Sequence, residues 1–181
     1  MRVLFYSFEP FAIGRGAKQA QITRTRDALR QLNVDVEFLR WYDGNQSGDV
    51  LHFFGRITTD LLGLARACGM KVVVSDWLGE QAARSPIRLT LERWMIRTFG
   101  KILPGGFTEI FNWGSYQLAD ACVATSQSEA NLLSYVFGVP PEKVHIVPTD
   151  VARESRRATP DAWMAVGRQL KHLYQELLGD Q

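Results

Sequence analysis

An α/β fold is what this sequence predicts: a single Rossmann-like three-layer domain around a mostly parallel sheet. Short apolar runs alternate along the chain with longer stretches of helical periodicity, the order that covers a parallel sheet on both faces. The runs themselves, such as VLFYSF, VLHFF and VVVS, are continuously apolar, as strands buried on both sides are. A length of 181 residues is ordinary for one domain. At that size roughly 70% of the unfolded chain's surface can be buried.

The elements follow in order. Val3–Phe8 reads as the first strand, and a helix is expected from about Lys18 to Leu32, with Ile22, Leu29 and Leu32 on one face. Val34–Leu39 and Val50–Phe54 are the second and third strands. Thr58–Cys68 is helical and stops at Gly69, a natural residue just past a helix end. Val72–Ser75 is a buried strand followed by the polar corner DWLGE. Helical patterns then cover Ile87–Ile102 and much of 108–118, separated by the breaker Pro104-Gly105-Gly106. Ala121–Thr125 is the next strand. Ser126 and Glu129 have capping-box spacing at the start of a helix that Gly138, Pro140 and Pro141 terminate. Val144–Val147 is the last strand. After the connector, Thr159 and Pro160 are a good cap and first residue for a helix whose Trp163, Val166, Leu170, Leu173 and Leu177 form one apolar stripe. That stripe needs a cover, and the sheet domain itself is the expected one, with a partner protein as the alternative.

Composition narrows the function classes. A net charge of +2 is too small to argue for nucleic acid, and no nucleic-acid-binding motif accompanies it. Two cysteines, Cys68 and Cys122, stand far apart and read as small buried hydrophobes in a reducing compartment, so neither a metal site nor a disulfide framework is expected. No apolar run approaches the length of a membrane span, and VLFYSF is too short for a signal peptide. A cytoplasmic protein is expected, with peripheral contact at the inner membrane surface as an open possibility.

Ligands of open α/β sheets bind outside the carboxyl ends of the strands. That rule points to Glu9–Gly16, to the residues after Phe54, to Asp76–Glu80 and to Thr125–Ser128. In EPFAIGRGAKQ, Gly14 and Gly16 let a ligand approach the backbone, and Arg15 and Lys18 add charge suited to a phosphate or acidic sugar. The loop is neither a dinucleotide fingerprint, since Gln19 stands where glycine is needed, nor a Walker loop. The alternative is a flexible turn into a helix. His52, near the end of a buried strand, is either a cleft residue or, as such histidines more often are, a satisfied core residue. Asp76 can accept a hydroxyl proton or cap the next turn, and Trp77 can stack on a sugar or base. Ser126 lacks a nucleophile elbow and is read as a helix cap. Arg93, Arg97 and Lys101 share a helical face beside Trp94, which suits either an anionic membrane surface or a solvated helix packed on the domain.

MRVLFYSFEPFAIGRGAKQ, LNVDVEFL, DVLHFFG and above all ADACVATSQSEANLLSYVFGVPPEKVHIVP together resemble the amino-terminal domain of GT-B glycosyltransferases, in particular glycosyltransferase family 4. The resemblance covers residues 2–148, and AWMAVGRQLKHLYQELL is similar to that family's final crossover helix. It implies residues 1–148 as the acceptor-side domain, half of a GT-B fold, 149–159 as a connector and 160–178 as the crossover helix on the same domain. It also implies Gly14, Gly16 and Lys18 at the cleft loop, Asp76 and Trp77 on the acceptor side, a sugar or lipid-linked acceptor, and no cofactor. Departures accompany it: Thr149-Asp150-Val151-Ala152 replaces the usual Asn-Gly-Val-Asp, and no two glutamates stand eight positions apart as the donor motif requires. The expected reading is a nucleotide-sugar-dependent transferase half, natural or engineered, with the donor domain missing and little activity alone. A split enzyme with a separate donor chain, and a non-catalytic binding or membrane-docking module, stay open beside it.

Overall fold

The computed structural model describes residues 1–9, 16–102, 114–148 and 160–179. Outside them lie Gly14, the breaker at 104–106, the first part of the 108–118 segment, the 149–159 connector with its Thr159 cap, and the side chain of Lys101. The described elements are β1 (Arg2–Tyr6), α1 (Ala17–Gln31), β2 (Asp35–Phe38), β3 (Val50–Phe54), α2 (Thr59–Ala67), β4 (Lys71–Ser75), α3 (Gly79–Ala82) and α4 (Pro86–Ile102). Then come α5 (Ser115–Leu118), β5 (Ala121–Ala124), α6 (Gln127–Tyr135), a 3-10 turn at Pro141–Lys143, β6 (Val144–Ile146) and α7 (Pro160–Leu178).

The strands form one six-stranded sheet in the order β2-β1-β3-β4-β5-β6, and every neighbouring pair is parallel. The chain steps outward from β1 to β2, then returns past β1 to add β3 and its successors. The switch point therefore lies between β1 and β3, the place where open sheets of this kind take their ligands.

Alternation along the strands divides the core into two layers. Leu4, Leu51, Phe53, Val72, Val74, Cys122 and Ala124 face α2, α5 and α6. Val3, Phe5, Val36, Val50, Phe54, Val73 and Val123 face α1 and α7. On α7, Trp163, Val166, Leu170 and Leu173 are buried there and Leu177 is half-buried, together with Tyr174, which the apolar stripe does not mark. Each large apolar side chain so buried stabilises the fold by about 1.5–3 kcal/mol. The two helices cross closely at Gly167, where an added Cβ would stand 3.2 Å from Ala28 Cβ and 3.3 Å from the Ala28 carbonyl carbon. Lys171 Nζ donates to the Leu32 carbonyl at the end of α1, satisfying one of that helix's orphan acceptors.

Three local readings need correction. The first strand stops at Tyr6, its last residue paired with β3, and the Glu9 amide donates to Ser7 Oγ as the chain turns away, leaving Phe8 exposed. Cys68 is exposed at the end of α2. Cys122 is buried, and burial pushes its thiol up to about 12. At α6, Ser126 Oγ accepts from the Glu129 amide as expected of a cap, but Glu129 Oε2 reaches one residue further back than a capping box does. It accepts from both the amide (2.8 Å) and the hydroxyl (2.7 Å) of Thr125.

Candidate functional site

The carboxyl edge of the sheet gathers side chains from β3, β4 and α5 into one polar network. Gly55, at φ +118°, takes the chain out of β3 through a backbone conformation that L side chains rarely adopt, and its amide donates to the Ser75 carbonyl at 2.7 Å. Arg56 follows at once. Its Nε donates to the Tyr116 hydroxyl at 3.0 Å, and its guanidinium lies over the Tyr116 and Phe137 rings. Tyr116 donates in turn to Asp76 Oδ2. Burial first, and then the Asp76 charge, raise the Tyr116 phenol far above its usual range, so it stays protonated and acts as donor to the carboxylate. Asp76 Oδ1 accepts the Trp77 amide at 2.8 Å, which caps the turn after β4. The contact to the Trp77 amide is the capping role expected of Asp76. Its side chain keeps 17% of its surface exposed, and Arg56 Nε stands 4.0 Å away. A carboxylate oxygen can accept more than one hydrogen bond, so this one can still receive a ligand hydroxyl.

Trp77 is held from several sides. Its ring stacks with Phe54 at 6.4 Å, its indole N–H donates to Gln21 Oε1 at 3.0 Å, and Lys18 Nζ sits 4.9 Å above the ring centroid. Lys18 also pairs with Glu9 at 3.2 Å, and Gln19 donates to the other Glu9 oxygen at 2.9 Å. A sugar stacking on Trp77 would have to take the place that Lys18 now occupies. Gly16 caps α1 in extended backbone, at φ −142°, and an added Cβ would meet only the Gln19 side chain at 3.1 Å. The described conformation alone does not demand glycine at that position.

His52 lies deeper, two residue pairs in from the Phe54–Ser75 pair that ends β3 and β4. Its Nδ1 is 2.5 Å from the Tyr174 hydroxyl and its Nε2 is 2.7 Å from the Ser75 hydroxyl. One of these hydroxyls donates to the ring while the other accepts from it. The ring stacks on Phe54 at 4.3 Å, and burial pulls its pKa down to about 3, so it is neutral across the physiological range. Both nitrogens being satisfied, His52 is in this arrangement a packed core histidine. It lines a cavity of about 20 Å³ with Ser75, Thr25 and Thr125, enough for about one water molecule.

Of the three basic residues of the later helix, the side chains of Arg93 and Arg97 are described. Arg93 lays its guanidinium 4.3 Å over the Tyr135 ring, toward α6, whereas Arg97 is exposed. Among the described residues no group of three His, Cys, Asp or Glu side chains could hold a metal ion. No local motif marks Arg56 or Tyr116. They lie 60 residues apart in sequence, and only the fold brings both to Asp76. The one available signal is the place of Arg56 just after Phe54, at the carboxyl end of a strand.

Comparison with known proteins finds no matching family model and no matching curated sequence.

Proposed function

We propose that the carboxyl edge of this sheet binds the hydroxyl-bearing acceptor of a glycosyl transfer, the chain acting as the acceptor-side half of a GT-B-like glycosyltransferase. The Arg56–Tyr116–Asp76 network carries the reading. It offers a partly exposed carboxylate whose position is fixed by a protonated phenol and a guanidinium, at the carboxyl edge of the sheet where ligands of open α/β sheets bind. A carboxylate so oriented accepts a hydrogen bond from a sugar hydroxyl, and it can draw off the proton as that oxygen becomes a nucleophile. Tyr116 supports the charge without competing for the proton. The sequence resemblance across residues 2–148 supports the same assignment.

The test is ligand-observed NMR with the methyl glycosides of glucose, mannose and N-acetylglucosamine, alongside calorimetry with UDP, GDP, ADP and their sugar conjugates. One glycoside should bind to the wild-type chain, and Asp76→Asn and Tyr116→Phe should each weaken it about tenfold, the loss expected for a charge-assisted hydrogen bond. Absence of glycoside binding, or glycoside binding indifferent to Asp76→Asn, would overturn the reading.

A further inference from the structure

Helix α4 packs with one side and leaves its apolar side bare. Leu89 and Ile96 rest on the core, Thr90 Oγ1 lies 3.3 Å from the Tyr135 hydroxyl, and Arg93 covers the Tyr135 ring, all on the side toward α6. The opposite side carries Ile87, Leu91 and Trp94, which are 84%, 55% and 60% exposed. Their spacing places them in one stripe along the helix. Arg88 and Arg97, both exposed, fall roughly 90° to either side of it at about 100° per residue. The only acid in α4, Glu92, is turned away and engaged by Arg84 and Gln81.

We infer that α4 docks this protein in the plane of an anionic membrane surface, with Ile87, Leu91 and Trp94 entering the headgroup boundary and Arg88 and Arg97 meeting lipid phosphates. The charge arrangement selects this occupant. An apolar stripe that ends in an indole and carries a cation on each flank matches the layering of an anionic bilayer, apolar beneath and negative at the rim. A second protein would need acids on both sides of an apolar ridge. No helix among the described residues is long and apolar enough to cross a membrane, so the contact lies in the surface. The inference stands apart from the acceptor-site reading, since none of its residues touches Asp76, Tyr116 or Arg56.

Co-sedimentation with phosphatidylcholine vesicles, with and without phosphatidylglycerol, tests it. The chain should pellet with the mixed vesicles and stay largely in solution with the neutral ones. The triple variant Ile87→Ser, Leu91→Ser, Trp94→Ser should lower partitioning by on the order of tenfold or more. Arg88→Ala and Arg97→Ala should each lower it by about fivefold, and added salt should act in the same direction. All five positions are exposed, so the variants should keep the wild-type circular dichroism. Failure to pellet with phosphatidylglycerol, or pelleting indifferent to the triple variant, overturns the inference. So does wild-type self-association in sedimentation velocity that the triple variant abolishes, because the stripe would then belong to a second copy.

Discussion

The buried imidazole of His52 ties stability to pH. Its folded pKa, about 3, lies below the ordinary value of 6.5, so the unfolded chain binds the extra proton between those limits. Stability is therefore full above pH 6.5 and falls as pH drops toward 3, by about 2 kcal/mol between pH 7 and pH 5. His145, half-buried and also shifted down by burial, adds a smaller effect of the same sign. Urea titrations at pH 7 and pH 5 should show this loss in the wild type and a much smaller one in His52→Gln. An equal loss in both would assign the effect elsewhere. Tyr174→Phe should cost about 1–3 kcal/mol at pH 7 by leaving a ring nitrogen unpaired. At this scale the sequence was only half legible. A histidine inside LHFFG reads more readily as core than as cleft, but the partner that satisfies it, Tyr174, stands 122 residues away and is not legible locally. Asp76 could be singled out as the polar end of an apolar strand, whereas Arg56 and Tyr116 acquire their meaning only from tertiary contact.

Elements were easier to read, for a physical reason: caps, breakers and apolar periodicity are local. Val50–Phe54 has the expected bounds, and Gly69 and Gly138 both take the positive φ expected of residues that close helices. Ser126→Ala should cost about 1 kcal/mol. Glu129→Ala should cost more, since it strips the acceptor from both the amide and the hydroxyl of Thr125. Because the two side chains share one turn, the double variant should fall short of the sum in a thermal-melt cycle. The crossing of α1 and α7 sets a tighter limit. Gly167→Leu has no room against Ala28 and Leu32 and should destabilise by about 1–3 kcal/mol, which chemical denaturation will read. Periodicity could identify the apolar side of α4, but it could not tell that the core would take Leu89 and Ile96 and leave Ile87, Leu91 and Trp94 outside.

For the whole molecule, alternation of strands and helices was enough to fix an α/β class and a parallel sheet. Strand order was not legible, because it depends on which side of β1 each later strand joins. The sheet binds widely separated stretches of chain: β1 and β2 share one layer with α7. Deleting residues 160–181 should uncover His52, Phe54, Val123 and Val147, which line one cavity with Val166 and Leu170, and give a species that binds hydrophobic dyes and loses its cooperative melt. That layering also has a consequence in time. On the ribosome, β1, α1 and β2 emerge first, and the helix that completes their cover follows on the order of ten seconds later at ordinary translation speed. Until it arrives the nascent chain carries an unfinished, adhesive flank.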